Sequence, residues 1–242
     1  ILLLLGITLV SFALTQVVPG DPAAANLVQR AIEDPDAVAA FNRKYGLDKP
    51  VVTQYTTYLT NLVQGDLGLS QQSRRPVRED LGEFVPATLE LAGTAVIISL
   101  VVGVALGTLA ALRRDRPLDN VLRVVSLGGV SMPLFWLALT ALYLFTFKWR
   151  IFPGTGRLTP GAAKPPDTTG LYTIDALLDG DWATAKDAFM HMLLPALVLA
   201  SYAIGLLTRC TRSAVLEVLN NEYVRAAMAK GLPTRTVVVR HI

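Results

Sequence analysis

Two stretches of this chain, Leu91 to Leu112 and Val124 to Phe147, carry no charged residue over the length that one helix needs to cross a lipid bilayer. At about 1.5 Å per residue each reaches at least roughly 33 Å, against a hydrocarbon core of about 30 Å. A soluble domain with charges so unevenly placed would expose both runs to water. The composition agrees: hydrophobic residues make up 52% and charged residues 17%, where soluble domains carry about 25% charged residues. Two further runs qualify. Ile1 to Val18 is uncharged and Leu-rich, and Ala188 to Thr208 is apolar but interrupted by Pro195 and Gly205. Membrane helices tolerate such breaks when neighbouring helices satisfy the freed backbone groups. The expected class is an all-α integral membrane protein with at least four transmembrane helices, at 1–18 and near 89–112, 124–147 and 188–208.

The chain begins inside an apolar run, without Met or a basic flank, and ends at His241-Ile242 in a segment with no stop signal. It reads as part of a longer protein, so four spans is a lower bound.

Basic residues in short loops set the orientation. Arg113, Arg114, Arg116 and Arg123 lie between the second and third spans. Arg209, Arg212, Arg225, Lys230, Arg235 and Arg240 follow the fourth. Both regions are expected on the cytoplasmic side. That places 19–86 and 148–190 outside, where acids and bases are balanced. The formal net charge of +3 is then a topology signal, and no basic stripe interleaved with aromatics points to nucleic acid.

The segment 19–86 predicts ordered structure outside the membrane. Pro19-Gly20-Asp21-Pro22 breaks the chain after the first span. Asp36 to Lys44 predicts a short helix behind Asp34-Pro35, and Tyr45-Gly46-Leu47-Asp48 a turn. Val51 to Val63 predicts an amphipathic helix with Val51, Tyr55, Tyr58, Leu59 and Leu62 on one face, ended by Gly65-Asp66-Leu67-Gly68. The region 151–180, rich in Pro-Gly pairs, reads mainly as loop.

Chemistry-bearing motifs are few. Cys210 is alone, and His191 and His241 fall on opposite sides of the membrane in this topology, so no metal site forms within the chain. No GxxxxGK[ST] loop occurs, so any nucleotide is bound by another polypeptide. No GxSG or HExxH motif occurs and no Asp lies within a span, which argues against an intramembrane enzyme. A non-transporting scaffold or receptor subunit is the other alternative.

The segment 220–242 is the most suggestive. Asn220 or Asn221 can cap a helix from Glu222. Gly231 suits the left-handed position after its end, and Pro233 stops continuation. Tyr223, Ala226, Ala227 and Lys230 fall on one face, where small side chains let a soluble partner approach closely. Alanine is also simply a good helix former. Pro133, after Gly128-Gly129 and before Phe135 and Trp136, marks a candidate hinge or pathway segment, with a packing adjustment as the alternative. Gly93, Gly103 and Gly107 fit close helix packing. Glu90 near a span end fits hydration or a backbone hydrogen bond, and His191 an interfacial cap. Asp21 fits turn chemistry or a contact with a delivering protein.

Seven motifs stand in a familiar order: Pro19-Gly20-Asp21-Pro22, Tyr45-Gly46-Leu47-Asp48, Gly65-Asp66-Leu67-Gly68, Pro86-Ala87-Thr88-Leu89-Glu90, Ser131-Met132-Pro133-Leu134-Phe135-Trp136-Leu137-Ala138, His191-Met192-Leu193-Leu194-Pro195-Ala196-Leu197 and Glu222-Tyr223-Val224-Arg225-Ala226-Ala227-Met228-Ala229-Lys230-Gly231-Leu232. In this order the chain resembles the B-type permease subunit of the dipeptide/oligopeptide/nickel branch of bacterial ABC importers. The resemblance implies a type I permease fold in the bacterial cytoplasmic membrane. It implies a second homologous permease, two ATP-binding subunits and an extracytoplasmic substrate-binding protein as partners. It further implies a short peptide as substrate, with nickel, haem, opines and glutathione left open. ATP and Mg would be bound by the partners, and no cofactor by this chain. The family's "EAA" loop, which docks on the ATPase, falls on Glu222, Tyr223, Arg225, Ala226, Ala227, Lys230 and Gly231. Arg225 stands where the name of the loop has glutamate, so no argument rests on that carboxylate.

Overall fold

The computed structural model describes residues 2–17, 35–46, 48–70, 72–229 and 231. Among these the regular structure is helical, with one isolated bridge between Leu69 and Pro76. The chain divides into two compact units, Ile1–Phe84 and Val85–Ile242.

The first unit contains α1 (Leu2–Val17), α2 (Pro35–Tyr45) and α3 (Val51–Val63). The turn expected at Tyr45-Gly46 forms, with Gly46 at φ +66°. α3 spans the residues its pattern predicts, and its aromatic face meets α1. Tyr55 and Tyr58 surround Phe12, with ring centroids 5.3 and 6.1 Å away. The Tyr55 hydroxyl lies 3.1 Å from Thr8 Oγ1. The helix then ends on a Schellman motif. Gly65, at φ +84°, donates to the Leu62 carbonyl, and Asp66 donates to that of Asn61. Glycine meets the positive φ without the steric cost of a Cβ.

α4 (Val77–Leu112) begins in the first unit, where Arg75 pairs with Asp80 and Glu83 of its opening turns at 2.7 and 3.0 Å. Its apolar length belongs to the second unit. A turn at Arg113–Arg116 leads to α5 (Pro117–Ser131), with proline in its first turn as helix starts favour. Where one helix was expected over 124–147, the structure has a break. Met132 takes extended ψ of 135° before Pro133, as the residue preceding proline prefers. α6 (Leu134–Ala141) follows and passes into a π-helical segment, Leu142–Lys148. The expected loop over 151–180 contains a helix, α7 (Tyr172–Leu178). Its signal was masked by the Pro-Gly pairs upstream.

α8 (Trp182–Leu219) is longer than its apolar run. Asp181 caps it, its carboxylate accepting from the N–H groups of Ala183 and Thr184. Neither Pro195 nor Gly205 breaks it, so the span expected over 188–208 lies within one continuous helix. Proline removes one backbone bond, which the turns on either side survive. A short helix, α9 (Glu222–Ala229), closes the described chain.

α4 and α8 are long and apolar enough to cross a membrane, and shorter apolar helices lie at Leu5–Leu14 and Leu134–Lys148. On α4, Val96, Ile97 and Val101 are each more than half exposed. Exposed apolar surface of that extent calls for lipid or a partner.

α4 packs on α8 through small residues. Ala95, Ala196 and Ala200 form one core, lined by Leu91, Ile98 and Ile204. Ala141, Leu194 and Val198 form another with Leu137, Phe145 and Phe152. A Cβ on Gly103 would sit 2.7 Å from Leu207 Cβ, and one on Gly107 2.6 Å from Thr211 Cβ and 2.7 Å from the Thr208 carbonyl. Gly93, expected to do the same, faces nothing within 4 Å.

The end of α4 near Glu90 is fastened by polar groups. Glu90 accepts from Arg157 at 3.0 Å and from the Thr173 N–H at 2.8 Å. Arg157 also donates to the Gly170 carbonyl and lies 3.5 Å over the Tyr172 ring. Asp175 is buried and accepts from Thr169 and the Gly170 N–H. Burial raises its pKa, but these donors prevail and hold it below the ordinary carboxylate range. Asp187 accepts from the Thr159 N–H and hydroxyl at 2.7 and 2.8 Å. His191 Nδ1 donates to the Asp187 carbonyl at 2.8 Å. The backbone-bonded reading of Glu90 fits this arrangement; the capping reading of His191 does not, since Asp181 caps α8 and His191 is buried within the helix, bonded to a carbonyl one turn back.

A Gly107→Val substitution forces α4 away from α8, at a cost of about 1–3 kcal/mol typical of overpacking. Gly93→Ala is expected to be neutral or slightly stabilising, since its Cβ meets open space. Thermal melts of the purified full-length protein in detergent distinguish the two.

Candidate functional site

α9 is set off from α8 by a tight corner. Asn220 ends α8, its N–H directed at the Glu217 and Val218 carbonyls. The Asn221 N–H donates to Val218, and the Val224 N–H to the Asn221 carbonyl. Val224 is fully buried against Val218 and Leu219. The Val224 side chain thus pins the short helix to the end of the long one. Beyond α9, Gly231 adopts φ +82°, the left-handed conformation that stops a helix. Glu222 sits in the first turn, where the helix dipole favours a negative charge.

A buried ion cluster lies in the turns of α8 that precede this corner. Asp119, on α5, has no exposed side-chain surface. Arg212 of α8 donates to it through Nε and Nη2, both at 2.8 Å. Arg123, one turn along α5, donates through Nη2 at 2.8 Å and Nε at 3.3 Å. The Asp115 backbone N–H adds a bond at 3.1 Å. The hydrogen bonds from Arg212, then those from Arg123, outweigh burial and hold the Asp119 carboxyl far below the ordinary range. A cavity of about 260 Å³ adjoins the cluster, lined in part by Ala110, Leu122, Arg123, Thr208, Arg209 and Arg212. It is smaller than the roughly 300–1,000 Å³ of ordinary ligand pockets.

Comparison with known proteins now bears on these features. The family described as "Binding-protein-dependent transport system inner membrane component" matches residues 103–242, and its companion, "Binding-prot-dependent transport system membrane comp, N-term", matches residues 1–92. The chain belongs to this family. Among the relatives of this permease is a "Probable D,D-dipeptide transport system permease protein DdpB" of Escherichia coli (strain K12). It is 41% identical over 96% of this chain and 68% of its own length. A "Di/tripeptide transport system permease protein DppB" of Pseudomonas aeruginosa is 41% identical over 98% of this chain and 70% of its own. A "Dipeptide transport system permease protein DppB" of Escherichia coli is 39% identical over 98% and 70%. The permease is accordingly a membrane transport subunit.

The residues singled out in the sequence are distributed unevenly. Glu222 and Tyr223 are exposed at the start of α9. Arg225, Ala226 and Ala227 lie within it. Lys230 and Asp21 fall outside the described residues. Pro133 stands at a real break between α5 and α6, with Phe135 and Trp136 70% and 50% exposed just beyond. The sequence reading does not single out Asp119, because the topology signal in this loop depends on its basic residues and gives acids little weight. The signal available was Asp119 and Arg123 at i,i+4 spacing.

A depressed carboxyl pKa contributes stability that is complete above the ordinary carboxylate range and is lost only as the pH falls through the folded-state value. The Asp119 cluster should therefore hold the contact between α5 and α8 unchanged from pH 7 down to the upper edge of carboxylate titration. It should open only under stronger acid. A spin-label distance between the two helices, followed against pH in the purified protein, checks this.

Proposed function

We propose that this permease is the transmembrane subunit of an ATP-driven importer for short peptides, moved by ATPase subunits through α9. The observation that carries the coupling is the build of α9. It is a short helix with its own N-terminal corner, a buried anchor at Val224 and a glycine stop at Gly231. Such a unit can move as a rigid body and pass that movement to α8. The peptide substrate is supported by the relatives, whose names specify dipeptide, D,D-dipeptide and di/tripeptide transport. Selection among peptides would rest with an extracytoplasmic binding protein.

In this reading Glu222, Tyr223, Arg225, Ala226, Ala227, Lys230 and Gly231 form the docking segment. Two partner subunits bind ATP and Mg, and a second homologous permease completes the path. The multi-pass chain lies in the bacterial cytoplasmic membrane with its Arg-rich turns inside. The exposed apolar residues of α4 supply surface for lipid and for that second permease. The Pro133 break, with Phe135 and Trp136, serves as hinge or pathway wall, and Asp21 meets the binding protein. Alternating access then follows from spans that rearrange as the ATPases close.

The test is disulfide crosslinking in the complete transporter. Single cysteines replace Ala226 or Ala227 in a Cys210→Ser background, against cysteines scanned along the ATPase surface. Crosslinks whose yield changes with ATP are expected. An assembled complex in which no ATPase position crosslinks would rule out coupling through α9 and favour a non-transporting scaffold.

A further inference from the structure

Two separate contacts converge on one turn of α8. The Arg212 side chain holds Asp119 of α5 in a two-pronged pair. The Arg212 backbone forms part of the surface against which Gly107 of α4 lies. A Cβ on Gly107 would stand 3.1 Å from the Arg212 nitrogen and 2.7 Å from the Thr208 carbonyl. Asp119 also takes the Asp115 N–H, which fixes the turn joining α4 to α5. At this end α4, the turn and α5 are therefore fastened to α8 at a single level. The same helix carries α9 a few turns further on.

We propose that Asp119 and Arg212 are positioning residues of the transport cycle. Their pair conveys the displacement of α9, received through α8, to the α4–α5 hairpin. The inference rests on the coupling role proposed for α9. Its physical basis is the kind of contact involved. Apolar side chains in a bilayer gain little by choosing one helix neighbour over lipid, and they can slide past one another. A two-pronged guanidinium–carboxylate pair fixes both distance and orientation. A buried carboxylate also cannot part from its arginines without leaving an uncompensated charge. The pair therefore resists slippage where packing alone would yield. The break at Met132–Pro133 then gives α5 freedom to follow α8 without turning α6 by the same amount.

The experiment uses the full-length chain co-expressed with its partner subunits and reconstituted in vesicles. Peptide uptake and ATP hydrolysis are measured on the same preparation, together with the α9 crosslink. Asp119→Asn keeps the shape of the side chain and removes its charge. The expected result is a fall in peptide taken up per ATP hydrolysed, on the order of tenfold, with the crosslink retained. Asp119→Glu should recover most of the ratio. Arg212→Lys, which keeps the charge but loses the planar fork, should lower it as well. That variant also serves if Asp119→Asn fails to assemble.

Uptake and hydrolysis that decline in proportion would show a merely structural pair and overturn the proposal. So would an unchanged ratio in both the Asn and Lys variants. If the α9 cysteine variants with Asp119 and Arg212 intact give no crosslink, the coupling reading itself fails and this inference with it. An intact crosslink with an unchanged ratio removes this inference alone.

Discussion

Helices inside a bilayer have no hydrophobic reason to leave lipid for one another, so the contact of α4 with α8 has to come from close approach. Gly103 and Gly107 permit it on one side, and Ala196, Ala200 and the carbonyls of Ile204 and Thr208 receive it on the other. The remainder of the second unit is hung on this contact. α6 reaches α8 through Leu194 and Val198, and α9 is an appendage of its far end.

Polar groups then fix both ends of the α4–α8 pair. At one end Glu90, Asp175 and Asp187 gather the connecting loop by accepting from Arg157, Thr169, Thr173 and Thr159. At the other Asp119 gathers two arginines and a backbone N–H. In each case an acid is supplied with donors, the condition under which a charge is tolerated away from water. The apolar middle sets the distance between the helices, and the charged ends set their rotation and offset.

Much of this is legible in the residues. The uncharged runs announce α4 and the apolar part of α8. The aromatic face of α3 is visible in its spacing although its contact with α1 is not, and Gly231 foretells its left-handed turn. The rest turns on local causes. Pro195 interrupts the apolar run without breaking α8, because the turns on either side bridge the one backbone bond it removes. Pro133 produced a full break, since Met132 before it had to extend. Gly93 shows that a small residue permits close packing without compelling it. Asp119 escaped because its second partner, Arg212, lies 93 residues away, and no periodicity encodes so distant a pairing.

The π-helical segment Leu142–Lys148 carries a consequence for the permissible length of this chain. A π turn holds one residue more than an α turn. Here the wide turn brings Phe145 against Trp149 and Phe152, with centroids 5.2 and 6.2 Å apart, beside Leu194 and Val198. A relative one residue shorter at this point could close as ordinary α-helix with the flanking turns still in step, because the wide turn is what absorbs the extra residue. The aromatic trio would then lose the turn that gathers it, although none of its side chains had changed. A length change here is taken up locally and leaves the hydropathy of the segment as it was.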